Sequence, residues 1–268
     1  MDMESLQVNQ EMNAPINIPN KLTFRGKQIT GGKRRMPLKL IIYGDNGIGK
    51  TSFGTYAKNP IIMDLEGNCV HISTDKERLH TLEDCKEFLI ALLSQSHDYK
   101  TLVIDSLDSL EAYFSESIVR RYSESKLVYG KKDVWSNEVK EFIEILESLS
   151  TKKTMNIIFT AHWKVKPANN PMTQQYDRYD LRINEAMRTG FCNWVQCILL
   201  AMKDISFEEK EAGFGKKKAR KSVTNVLYTR GDSTYYAKNV FDLPEKIPFN
   251  KDKSWESFIS YVNKFYQN

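Results

Sequence analysis

The sequence predicts an α/β core whose mostly parallel central sheet is covered by helices on both faces. Two observations carry this reading. Short apolar runs of strand length alternate with longer stretches of helical periodicity. The polar and acidic residues that look functional fall just past the ends of those runs, where open α/β sheets bind their ligands. A length of 268 residues, with 41% hydrophobic residues, suits one large domain with extensions.

Taken in order, residues 1–36 are polar, with Pro15, Pro19 and the pair Gly31-Gly32. They read as an N-terminal extension, partly flexible or serving as an oligomerisation arm. The core is expected over residues 37–250. LKLIIYG (38–44) is a buried strand, and helix-compatible sequence follows from Lys50 to about Lys58. PIIMDLEG (60–67) is a second buried strand ending in acids. Leu82–Leu93 is helical, TLVIDS (101–106) is a third strand, and Leu107–Arg121 is helical. Tyr122–Lys132, polar with Gly130, reads as a loop. Val134–Ser150 is an amphipathic helix with Val139, Phe142, Ile143, Leu146 and Leu149 on one face. MNIIFTAH (155–162) is a fourth strand, and Lys164–Asp180, with Pro167 and Pro171, reads as a mobile loop. A fifth strand is expected at Trp194–Met202, then a basic loop, then a strand at Ser222–Thr229 and a short segment at Tyr235–Ala237. Residues 251–268 carry a last helix, Ser254–Phe265, packed on the core.

Composition narrows the function. No apolar run approaches the ~20 residues that span a bilayer, and the N-terminus lacks an apolar signal-peptide core. The expected location is the cytoplasm. Cys69, Cys85, Cys192 and Cys197 form no CxxC pair and lack histidines at zinc-ligand spacing, so reduced, packed thiols are expected. The net charge of +5 is mild, but it is concentrated in Lys33, Arg34 and Arg35 and in Lys216, Lys217, Lys218, Arg220 and Lys221. Such clusters suit nucleic-acid phosphates or a solvated loop.

The strongest motif is Gly44-Asp45-Asn46-Gly47-Ile48-Gly49-Lys50-Thr51, which fits GxxxxGK[ST] between a strand and a helix. Its glycines let backbone N–H groups wrap a triphosphate. Lys50 is expected to reach the β- and γ-phosphates, and Ser52 continues the binding loop. Thr51 is expected to ligate Mg²⁺ through its hydroxyl. Asp105, at the tip of Leu102-Val103-Ile104, is the expected second magnesium ligand. Ser106 follows Asp105 where many hydrolytic P-loop proteins have a glutamate, so the water-activating carboxylate must come from elsewhere. Glu66, past the second strand, can supply it, with Asp64 structural. His162, at the tip of Phe159-Thr160-Ala161, is a candidate sensor of the γ-phosphate, as is Thr160.

On these residues the chain resembles the RecA-like P-loop ATPases. The order is a phosphate loop, a strand ending Asp-x-Glu, a strand ending Val-Ile-Asp-Ser and a strand ending in a polar sensor. The resemblance is closer to phage-encoded nucleotide-binding and AAA-family ATPases, some of them single-strand-annealing recombination proteins. Over roughly residues 36–250 it is carried by IIYGDNGIGKTSF, IIMDLEG, YKTLVIDSLDSLE, IIFTAHWKVKP, YDRYDLRI and YYAKNVFDLPEKIPF. The resemblance implies ATP with Mg²⁺ as ligands, Glu66 as the group that activates water, and coupling through His162 to a DNA-binding loop. It further implies single-stranded DNA as partner, a ring or filament of identical subunits, the host bacterial cytoplasm as location, and a phage single-strand DNA-binding protein as a possible companion. The 36-residue extension has no counterpart in the pattern, and the larger DNA-binding and C-terminal modules of RecA are missing. Strand invasion is therefore not expected.

Three segments are candidates for DNA: Lys131 and Lys132 near Trp135, Lys164 and Lys166 after the sensor strand, and Lys216–Lys221. Basic groups would track the backbone while aromatics stack on bases, with little sequence preference and strong salt dependence. Arg230 and Lys238 flank the late strands and are candidates to reach a neighbour's γ-phosphate in trans. Two other readings compete. A nucleotide-switched assembly protein with weak or no turnover would keep Lys50 and Asp105 but lose the role of Glu66. A nucleotide kinase would need an arginine-rich lid, for which Arg120-Arg121 is the single hint. A packaging motor is disfavoured because no nuclease domain is appended.

Overall fold

The computed structural model describes residues 21–122, 124–168, 175–212, 216–250 and 252–267. For 124–132, 205–212 and 216–222 it describes the backbone alone. The chain forms two compact units, Met1–Arg35 and Met36–Asn268. In the first, β1 (Thr23–Phe24) and β2 (Lys27–Gln28) make a small antiparallel hairpin. Arg25 and Gly26 both take positive φ at its turn, the conformation that two-residue hairpins favour. The first twenty residues of the expected extension lie outside the described residues.

The second unit is built on an eight-stranded sheet. Its first half runs β3 (Lys39–Gly44), α1 (Lys50–Thr55), β4 (Pro60–Asp64), β5 (Lys76–Arg78), α2 (Leu82–Ser94), β6 (Thr101–Asp105) and α3 (Leu107–Arg121). There follow α4 (Glu124–Lys152), β7 (Asn156–Ala161), β8 (Trp163–Ala168), β9 (Tyr176–Leu181) and α5 (Glu185–Trp194). The chain closes with β10 (Cys197–Ala212), β11 (Lys216–Tyr228), β12 (Lys246–Pro248) and α6 (Ser254–Gln267). The strand order is β12-β11-β10-β3-β7-β6-β4-β5. The six strands from β10 to β5 are mutually parallel, and β11 and β12 add antiparallel. The expected α/β class, with a mostly parallel sheet and helices on both faces, is the class observed.

Strand alternation explains how the sheet is covered on both sides. On β3, Leu40 and Ile42 join a core with Phe53 of α1 and Trp255, Phe258 and Val262 of α6. Ile41 and Tyr43 join the opposite core with Phe114 of α3, Phe142 of α4 and Phe191 of α5. In parallel sheets every strand residue is buried on one face or the other, which is why these runs read as continuously apolar. α2 starts on a capping box in which Thr81 and Asp84 satisfy each other's backbone N–H groups, a sequence signature of helix starts.

Four expectations need correction. Residues 124–132, read as part of a loop, form the start of the 29-residue α4. Its Glu, Ser, Lys and Leu sustain a helix, and the single Gly130 costs only about 1 kcal/mol. Lys131 and Lys132 therefore sit on a helix, and their side chains lie outside the described residues. The stretch Lys164–Asp180, read as a mobile loop, is a hairpin of β8 and β9, paired from Trp163↔Leu181 to Ala168↔Tyr176. Pro167 fits because a two-stranded ribbon has outward-facing edges. Residues 169–174, with Pro171, lie outside the described residues. The strand expected from Trp194 begins instead at Cys197, because Asn184 caps a helix that runs through Trp194. The basic loop is mostly strand: β10 and β11 pair without interruption from Leu200↔Tyr228 to Ala212↔Lys216. The register sets Glu208 across from Arg220 and Glu211 across from Lys217, and opposite charges on facing strands favour such pairing. Gly213 and Gly215 lie outside the described residues.

Candidate functional site

The carboxyl ends of β3, β7, β6 and β4 lie side by side, with Tyr43↔Ala161, Ile104↔Phe159 and Asp64↔Asp105 in register. β7 separates the strand of the phosphate loop from the strand of Asp105, so its tip enters the site between them. The turns beyond these ends surround a cleft of about 800 Å³ lined by Lys50, Thr51, Glu66, Asp105, His162 and Arg182 among others. That is the size of a site for a nucleotide-sized ligand.

The phosphate loop leaves β3 at Gly44, where the backbone approaches β10 too closely for a side chain. A Cβ there would lie 2.0 Å from the Ala201 carbonyl oxygen and 2.9 Å from its carbon. Those atoms belong to the ladder that pairs β10 with β3 and cannot shift without breaking it. Gly44→Ala is therefore expected to destabilise the unit by about 3 kcal/mol, lowering the thermal midpoint by roughly 6–12 °C. Urea unfolding of both proteins measures this, and a loss under about 0.5 kcal/mol would contradict the packing described. At the other end of the loop Gly49 takes φ 110° and caps α1 in the left-handed region, which glycine enters without strain.

Lys50 is 7% exposed. Its Nζ donates to the carbonyls of Gly44 at 3.1 Å and Asp45 at 2.9 Å, so the cation lies over the loop it belongs to. Burial pushes its pKa down, and the carboxylates of Asp105, Glu66, Asp108 and Asp45 oppose that shift. The Thr51 hydroxyl donates to Asp105 Oδ2 at 2.8 Å. Asp105 also accepts from the Thr160 hydroxyl and, at 3.3 Å, from the Cys69 thiol. Burial, with Asp105 beside it, holds that thiol protonated by raising its pKa.

Glu66 stands across the cleft. Its Oε1 accepts from the Ser106 hydroxyl and its Oε2 from Asn68 Nδ2 at 3.2 Å. Ser106, which follows Asp105 where a glutamate was looked for, thus caps α3 and holds Glu66. His162 Nδ1 lies 4.0 Å from Glu66 Oε1 and 3.1 Å from Asp108 Oδ2. The same Asp108 oxygen accepts from the His162 backbone N–H at 2.8 Å. Asp64 accepts from the backbone N–H groups of Gly67 and Cys69; it shapes the turn that presents Glu66.

The structure thus brings together Lys50, Thr51, Glu66, Asp105 and His162 in one cleft, with Thr160 on Asp105. Asn46, Gly47, Gly49 and Ser52 line the same cleft. Arg230 and Lys238 do not. They border a separate depression with Asn239 and Asp242, where Arg230 pairs with Asp242 at 2.5 Å and burial lowers the pKa of Lys238. Lys164 donates to the Ile183 carbonyl at 2.9 Å, and Lys166 pairs with Glu185 at 3.0 Å.

Sequence reading missed four residues. Asp108 holds His162 and, through Oδ1, Arg182 Nε at 3.1 Å. Trp163 Nε1 donates to Asp45 Oδ1 at 2.7 Å, tying the hairpin to the phosphate loop. Cys69 joins Asp105. Asp108 was visible as an acid one helical turn after Asp105; Trp163, Cys69 and Arg182 carry no motif.

Magnesium and a triphosphate fit these residues. Thr51 and Asp105 offer oxygen donors alone, which suit a hard cation. No cluster of three or more His, Cys, Asp or Glu able to hold a metal exists among the described residues. One carboxylate and one hydroxyl are the sparse protein contribution that magnesium takes when phosphate oxygens and water complete its shell.

Fold and site together define a P-loop nucleotide-binding protein. The chain belongs to the AAA domain family, whose model matches residues 36–241; membership places it among the nucleotide-binding ATPases. Comparison with curated proteins finds no match. Among the described residues, no helix is long and apolar enough to cross a membrane.

Proposed function

We propose that this chain binds ATP with magnesium, hydrolyses it using Glu66 as the base, and couples the cycle to single-stranded DNA as an assembly of identical subunits that assists annealing and recombination. One observation carries the hydrolytic part: a carboxylate, Glu66, held by Ser106 and Asn68 in the cleft that contains Lys50, Thr51 and Asp105. Lys50 and the loop amides would hold the phosphates. Thr51 and Asp105 would hold magnesium, which supplies neutralising charge to the phosphate oxygens. Glu66 orients the attacking water and takes its proton as the oxygen bonds to the γ-phosphorus and the bond to the ADP oxygen breaks. Ser106 and Asn68 keep the carboxylate aimed, and His162 lies where it senses the change.

The DNA part is supported by the path from the site to the hairpin. Trp163, the first residue of β8, bonds the phosphate loop, and Arg182, just past β9, bonds Asp108. A change at the phosphates therefore reaches both strands of a ribbon that carries Lys164, Lys166 and Arg178. The acidic positions across from Lys217 and Arg220 on β11, and the partners held by Lys164 and Lys166, favour weak, salt-sensitive contacts. Arg230 and Lys238 would act from a neighbouring subunit, at the border of their own depression.

The test is phosphate release by the full chain with magnesium, with and without single-stranded DNA, alongside DNA binding and annealing of complementary oligonucleotides. Severalfold stimulation is expected, with DNA affinity falling on the order of tenfold or more from 50 to 200 mM salt. Turnover indifferent to DNA, with no binding even at low salt, would sink the DNA reading and leave an ATPase with another partner.

A further inference from the structure

Arg182 lies just past β9 and lines both the main cleft and the smaller recess formed by Gly44, Asp45, Asn46, His162 and Trp163. Its position is fixed from both ends of the residue. The backbone N–H donates to the His162 carbonyl at 2.9 Å, one step beyond the last rung of the hairpin. The side-chain Nε donates to Asp108 Oδ1 at 3.1 Å. Asp108 is 8% exposed in its side chain, whereas that of Arg182 is 58% exposed. Nη1 and Nη2 have no partner among the described residues. The guanidinium is therefore anchored along one edge, with its two terminal nitrogens uncommitted, beside the start of the phosphate loop.

Charge gives this placement a consequence. The carboxylates of Asp105, Glu66, Asp108 and Asp45 all act electrostatically on Lys50, the cation that would meet the phosphates, and Glu66 and Asp105 line the cleft with it. A triphosphate entering so acidic a site needs further positive charge. Arginine's fork is suited to phosphate oxygens because it offers several N–H donors in one plane.

We propose that Arg182 contacts the γ-phosphate of the nucleotide bound by its own subunit, with Asp108 as the positioning residue that aims it. This rests on the ATP reading above and adds a residue to it. The contact belongs to the recess beside Asn46 and His162, at the γ-phosphate end of the loop, so it distinguishes triphosphate from diphosphate. Because the Arg182 backbone is bonded to His162 and directly follows β9, the same contact would pull on the hairpin, giving the ribbon a direct report of the γ-phosphate.

The test is equilibrium binding, with magnesium, of ADP and of the β,γ-imido analogue of ATP to the full chain and to Arg182→Gln and Arg182→Lys. Arg182→Gln is expected to weaken the analogue on the order of tenfold to a hundredfold, to change ADP less than about twofold, and to leave the thermal midpoint in place. Arg182→Lys should recover only part of the loss, because the charge returns without the fork. Equal weakening of both nucleotides, or no change in either, would overturn the assignment while the ATP reading stands. A wild-type chain that binds neither nucleotide would overturn both.

Discussion

Glu66→Gln is expected to lower turnover on the order of a hundredfold to ten-thousandfold, the usual contribution of a positioned base, while ATP binds as tightly as before to within about twofold. The geometry makes this substitution clean. Glutamine is nearly isosteric, and its oxygen can accept from Asn68 Nδ2 while its amide donates to Ser106. The Ser106 hydroxyl can reverse its role, because it both donates and accepts. The turn from Asp64 to Cys69 should hold, since it depends on the Asp64 carboxylate and not on Glu66. What is lost is the proton acceptor alone. Phosphate release under saturating ATP, with and without single-stranded DNA, measures the first quantity, and equilibrium titration measures the second. Turnover within about threefold of wild type would move the base to the His162–Asp108 pair. A wild-type chain with no turnover under any condition would instead favour the nucleotide-switched assembly protein.

The site was legible where chemistry is carried by residues close in sequence. The phosphate loop is eight consecutive residues between a strand and a helix, and Asp105 and Glu66 each end an apolar run. Strand ends are readable because burial on both faces forces unbroken apolar sequence, so the first polar residues mark the edge of the sheet. The parts that were not legible depend on tertiary distance. Trp163 reaches Asp45 across 118 positions of sequence, and Arg182 reaches Asp108 across 74. Nothing local to either residue announces its partner.

The fold was read less well where polar sequence forms regular structure. β8 and β9 are half-exposed strands of a two-stranded ribbon, and the outer part of β10 is rich in acids while that of β11 is rich in bases. Polarity signals a loop only if no neighbouring strand supplies hydrogen bonds, and here each strand supplies them to the other. Read as a loop, the basic run from Lys216 to Lys221 looked like an open electrostatic surface. As a strand, its register sets Arg220 across from Glu208 and Lys217 across from Glu211, so basic and acidic positions share one two-stranded ribbon.

Lys50→Ala is expected to weaken ATP and ADP together, on the order of a hundredfold to ten-thousandfold. That is the loss of two charge-assisted contacts at ~1.5–3 kcal/mol each. The direction follows from the carboxylates. With the Lys50 charge gone, the cleft-lining carboxylates Glu66 and Asp105 would face the incoming phosphates, with Arg182 as a remaining cation lining the cleft. Folding should suffer less. The substitution leaves the Gly44 and Asp45 carbonyls without the Nζ donor, but both border the cleft and water can replace it, so a cost of about 1–2 kcal/mol is expected. The two effects separate experimentally: urea unfolding without nucleotide reads the fold, and titration of each nucleotide reads the site. The contrast with Arg182→Gln is the decisive comparison. Lysine at the centre of the loop should be needed for both nucleotides, arginine at its γ-phosphate end for one. A folded Lys50→Ala protein that binds ATP within about threefold of wild type would mean that the loop amides alone hold the phosphates, and that the buried lysine serves only to fasten the loop.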